Sequence, residues 1–152
     1  MTRGKVTLSP FHKRSFYLAL GLLWASGAVW LFFYYVGLHK EVTSGFPLQV
    51  WTLKIHGALA MIFMIILGSL LPVHIRLAWN QNRNRLAGAW LIGLNAFLII
   101  TGWMLYYVGN ETTRTWISLL HWSTGLGLPL FVYMHIRFAR HYPEKRRPQY
   151  HS

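Results

Sequence analysis

Residues 55–75 read IHGALAMIFMIILGSLLPVHI and residues 116–136 read WISLLHWSTGLGLPLFVYMHI. Neither stretch holds Lys, Arg, Asp or Glu, and each meets the requirement of about 20 apolar residues for crossing a hydrocarbon core about 30 Å thick. Residues 16–36 and 86–108 are equally free of those charges. In lipid the backbone must satisfy its own hydrogen bonds, and runs this long without alternation do so as helices rather than as barrel strands. A water-soluble reading would leave four helices apolar on every face in a chain of 152 residues, too small to cover them. The expected fold is therefore an all-α transmembrane four-helix bundle with antiparallel neighbours, one domain over 1–142 followed by a basic tail over 143–152.

Composition agrees with that segregation. The chain is 54% hydrophobic yet carries a formal charge of +12, and its Lys and Arg residues fall in short runs between the apolar stretches. Nucleic-acid binders are polar throughout, so this pattern argues against nucleic acid and for lipid headgroups as the partner of the basic segments. Twelve cations group together: Arg3, Lys5, Lys13, Arg14, Arg76, Arg83, Arg85, Arg137, Arg140, Lys145, Arg146 and Arg147. Only Lys40, Lys54 and Arg114 fall on the opposite side. The positive-inside rule then places both termini and the 80–84 loop in the cytoplasm, as for a multi-pass protein of the bacterial cytoplasmic (inner) membrane. Aromatic residues suit the two interfaces, with Trp51, Trp103, Tyr106, Tyr107, Trp116 and Trp122 outside and Trp79 and Trp90 inside. Ala25-Ser26-Gly27 resembles a signal cleavage site, but the apolar run continues to Val36, which suits a retained helix.

The chain has no cysteine, which removes disulfides, thiolate metal sites and covalent c-type haem attachment. Its three acids, Glu41, Glu111 and Glu144, all lie outside the apolar runs, which argues against carboxylate catalysis or a carboxylate proton relay.

Chemistry concentrates on histidine. His12, His39, His141 and His151 fall in expected loops or tails and receive no role, whereas His56 and His74 lie in the second span and His121 and His135 in the fourth. At about 100° per residue each pair returns to one stripe of its helix. The second and fourth spans run in parallel, so His56 pairs with His121 near the outer surface and His74 with His135 near the inner. One imidazole from each side is the axial ligand set of a low-spin haem iron. Ala60, Gly57, Gly68, Gly125 and Gly127 would keep bulk low beside the ligands, while Phe63, Leu67, Leu128 and Val132 would supply apolar contacts.

His-Ile-Arg occurs at 74–76 and again at 135–137, so Arg76 and Arg137 are candidates for haem propionates through charge-assisted hydrogen bonds. Lys54 is either an outer propionate partner or a snorkelling lysine. The histidines rise roughly 27 Å apart on the second helix and roughly 21 Å on the fourth, which requires tilt or a bend near Pro72 to level the inner pair. Two other readings of the histidines stand beside haem. They are either buried groups bonded to helix carbonyls or to Ser69, Asn95, Thr101, Ser118 or Thr124, or ligands of a non-haem metal. Asn95 is a candidate for a cofactor or quinone contact and for interhelical glue.

Two histidines on each of two helices, fourteen residues apart on one of them, resemble the dihaem b-type cytochromes. The pattern is similar to the cytochrome b core of bc-type quinol complexes, to the membrane anchors of respiratory formate dehydrogenases and hydrogenases, and to small bacterial proteins of the cytochrome b five-sixty-one type. The eighteen-residue step from His56 to His74 departs from the even spacing of the bc-type core. This resemblance, which covers residues 54–140, implies two bis-histidine haem b groups held by His56, His74, His121 and His135. It also implies a quinone or quinol at one face and a redox partner, such as a cytochrome or a dehydrogenase subunit, at the other. The expected function is transmembrane electron transfer as a subunit of a larger complex. The rivals are a stand-alone oxidoreductase acting on quinol or oxygen species and a haem-free membrane scaffold.

Overall fold

A computed structural model describes residues 9–39, 47–70, 72, 76 and 85–141. It contains four long α-helices: α1 (Pro10–His39), α2 (Pro47–Leu70), α3 (Arg85–Tyr107) and α4 (Glu111–His141). All four are long and apolar enough to cross a membrane, so the chain is an all-α, multi-pass membrane bundle. His74, the 80–84 loop, the 143–152 tail and His151 lie outside the described residues.

The helix starts follow from local chemistry. Ser9 caps α1, its hydroxyl oxygen accepting from the His12 backbone N–H at 3.3 Å, and Pro10 takes the first helical position, where a missing N–H costs nothing. Pro47 does the same for α2. Asn110 caps α4 through its side-chain oxygen, which accepts from the Thr113 N–H at 2.9 Å, and Glu111 adds a negative charge at the positive end of the helix dipole. Only residues 108–110 separate α3 from α4, which forces an antiparallel hairpin.

The helices outrun the charge-free stretches that announce them. His12 sits in the first turn of α1, and His39 and His141 end α1 and α4, so these three lie on helices rather than in loops. Their extra turns are the polar ends of membrane helices, where a charge no longer forbids continuation. At α2 the extension passes Lys54, whose Nζ lies 4.9 Å from the centroid of the Trp51 ring on its own helix. That contact lets the lysine stem lie along an apolar surface while its head stays near the interface.

Two antiparallel hairpins, α1–α2 and α3–α4, make up the bundle, and α1 against α4 forms the principal seam between them. One core joins all four helices: Ala19, Leu20, Phe63, Leu128 and Val132 are buried, with Leu23, Leu67, Leu91, Leu94 and Leu98 packed against them. Phe63, Leu67, Leu128 and Val132 therefore fill the centre, as their apolar character requires. Outside that core large apolar side chains face outward, among them Ile65 at 74% exposure and Leu130 at 61%, the condition of a surface that meets lipid rather than water. The seam is tied by the Trp24 indole N–H, which donates to the Leu126 carbonyl at 3.2 Å. Nearby runs an apolar groove of about 430 Å³ lined by Ala28, Leu31, Phe32, Tyr35, Val36 and Leu126.

Candidate functional site: a histidine pair across the bundle

His56 is the tenth residue of α2 and His121 the eleventh of α4, so each lies roughly 14 Å along its helix from the start. Their rings meet across the bundle with centroids 6.5 Å apart and planes at 86°. Two imidazoles coordinating one ion through metal–nitrogen bonds of about 2.0–2.1 Å would have centroids roughly 6.2–6.6 Å apart. The separation is one that a shared ion would allow, and the two rings stand edge to face.

Each ring is held from behind by the preceding helix. His56 Nδ1 lies 3.0 Å from Ser26 Oγ and 3.1 Å from the Leu23 carbonyl oxygen, both on α1. His121 Nδ1 lies 2.9 Å from Thr101 Oγ1 on α3, beside the Leu98 carbonyl. A glycine makes room in both cases. A Cβ on Gly27 would stand 2.9 Å from His56 Cε1, and one on Gly102 would stand 3.2 Å from His121 Cε1. The rings thus occupy space that only hydrogen side chains leave open.

His135 lies on the same helix as His121, fourteen residues and about 21 Å further along, with Ala87 and Gly88 of α3 against its ring. A Cβ on Gly88 would come no closer than 3.8 Å to this ring, an ordinary contact. Arg76 and Arg137 are both exposed, and Lys54 is exposed on α2 beside Trp51.

Several neighbours differ from those expected. The glycines that admit the histidine rings are Gly27 and Gly102, on the helices that precede the ligand helices. Gly57 instead faces the Tyr106 hydroxyl, Gly125 faces Leu98, Gly127 faces Phe131, and Gly68 has nothing within 4 Å. Thr101 does bond a histidine, as one of the alternatives allowed, whereas Ser69 donates to the Ile66 carbonyl of its own helix. Asn95 is buried and donates its amide to the Leu91 carbonyl one turn back at 2.8 Å. Ser26 and Gly27, which resemble part of a cleavage site, stand in the middle of α1 against His56.

Among the described residues no group of three or more His, Cys, Asp or Glu side chains converges on one point. Two neutral imidazoles are a poor set for zinc, which takes four ligands, but they complete an iron that already has four porphyrin nitrogens. His56 and His121 could together supply the two imidazole nitrogens that such an iron lacks. No family model, curated protein or solved structure matches the chain.

Proposed function

We propose that this chain is a b-type cytochrome of the membrane that carries single electrons between a quinone or quinol and a redox partner protein. The observation that supports it most directly is the His56–His121 pair, with its centroids 6.5 Å apart across the bundle. Ionisable side chains at membrane depth face a functional partner or a bundle interior, and these two face each other. A haem b bound there supplies a one-electron carrier.

The protein's own residues would hold and shield it. His56 and His121 would hold the haem through their imidazoles, a ligand pair that favours electron passage over oxygen chemistry. Phe63 and the buried leucines keep water from the middle of the bundle, lowering the local dielectric around the site. His135, with His74, is the proposed second pair, and Arg76 and Arg137 are the proposed propionate partners at that level. By the Lys and Arg distribution the His56 end faces outward and both termini face the cytoplasm. A redox partner protein would supply or accept the electrons.

Detergent-purified protein, produced with ample haem, should give a reduced pyridine haemochrome spectrum of b type with two haems per chain. His121→Ala should lower that to one. A preparation without haem, matched by iron at background level, would end this reading.

A further inference from the structure

The pattern Leu-x-x-(Ser/Thr)-Gly occurs twice in the chain, as Leu23-Trp24-Ala25-Ser26-Gly27 and as Leu98-Ile99-Ile100-Thr101-Gly102. Each copy lies on the first helix of a hairpin and touches the histidine of the second. We propose that these are two copies of one imidazole cradle, which fixes both rings in the Nδ1–H tautomer and leaves each Nε2 lone pair as the ligating atom. The metal-binding half of this inference rests on the haem reading above; the tautomer half does not.

The spacing explains the cradle. Residues three and four apart lie on one face of a helix, so a carbonyl, a hydroxyl and a glycine are presented together to the neighbouring helix. The glycine admits the ring edge. With a Cβ, the contacts of 2.9 Å at Gly27 and 3.2 Å at Gly102 would push the ring away from the carbonyl and hydroxyl.

Proton assignment follows from what each group can donate. A carbonyl oxygen only accepts, so the bond of 3.1 Å between the Leu23 carbonyl and His56 Nδ1 requires a proton on that nitrogen. The Ser26 hydroxyl spends its own proton on the same carbonyl at 2.8 Å and turns a lone pair to the ring. In the second copy the Thr101 hydroxyl donates back to the Phe97 carbonyl at 2.8 Å, with the Leu98 carbonyl at 3.2 Å, and again offers a lone pair to Nδ1. A neutral imidazole protonated at Nδ1 keeps its only lone pair on Nε2. Ligand histidines generally carry such an outer hydrogen bond, which orients the ring and raises its basicity. Ser26 and Thr101 are thus positioning residues.

The test is nitrogen-15 magic-angle-spinning NMR of the full chain, labelled at histidine and reconstituted in lipid, without and with haem. Resonances are assigned by difference against His56→Gln and His121→Gln. Both rings should show a pyrrole-type Nδ1, and without haem a pyridine-type Nε2. Ser26→Ala and Thr101→Val should mix the tautomers and weaken haem binding by about 10–100-fold, the usual cost of losing an outer-shell partner. Thr101→Ser should restore both. A protonated Nε2 in either wild-type ring overturns the cradle, as does an unchanged tautomer and haem affinity in Thr101→Val. Nδ1–H rings in a chain that takes up no haem would support the cradle while removing the haem function.

Discussion

Gly27 carries the tightest steric constraint at the site, since the nearest atom to any added Cβ is a ring carbon 2.9 Å away. Gly27→Ala must therefore displace the His56 ring or part α1 from α2, an overpacking that costs about 1–3 kcal/mol. Gly102→Ala, at 3.2 Å, needs a shift of only a few tenths of an ångström and should cost less. Gly21 has nothing within 4 Å, so Gly21→Ala should gain up to about 1 kcal/mol of helix propensity. Thermal unfolding of the three variants in one detergent should rank them Gly21→Ala, Gly102→Ala, Gly27→Ala in falling order. An unaffected Gly27→Ala would show that the ring is not confined. The same residues mark how far sequence reading reaches. Histidines stand out in a charge-free span because their cost there demands a reason, so the approach of His56 to His121 was legible. Which glycine makes room for them was not, because room comes from the opposing helix, and its register is set by side-chain packing rather than by spacing along the ligand helix.

At the scale of the helix, α4 is tied to α1 through a carbonyl close to its internal proline. Pro129 lies inside it and lacks the N–H that would bond the Gly125 carbonyl, one residue before Leu126. The Leu126 carbonyl takes an outside donor, the Trp24 indole of α1, in the seam between hairpins. Hydrogen bonds between membrane helices are worth about 0.6 kcal/mol on average, because the separated helices find other partners. Trp24→Phe removes the donor together with part of the ring, so it should lower stability by at least about that amount without altering helix content. A steric-trap or denaturant measurement in bicelles checks this, and a loss several-fold larger would mean that the indole packs rather than bonds. The four spans themselves were readable because length and absence of charge are what a bilayer selects. Their ends were less so: α2 begins at Pro47, well before the charge-free stretch that opens at Ile55, since Lys54 can lie along the helix with its head turned to the interface.

For the molecule as a whole, the repeat of cradle and histidine makes the bundle a pair of like hairpins, with the tied seam between α1 and α4 and the histidines of α2 and α4 meeting across the centre. Which side of the membrane the pair approaches decides the side on which a partner exchanges electrons with it. The sequence bears on this through charge, because the geometry of a bundle is the same in either orientation. Twelve of fifteen cations group at one side, and moving them across the bilayer during insertion is what the positive-inside rule penalises. The chain has no cysteine, so single cysteines report topology without a background. Gly109, in the tight α3–α4 connection, has open space around an added Cβ, and Ser9 marks the start of α1. On intact cells a membrane-impermeant maleimide should label Gly109→Cys and spare Ser9→Cys, and lysis should expose the second. The opposite pattern would place the His56–His121 pair toward the cytoplasm, so that the outer partner would have to meet the His135 end instead.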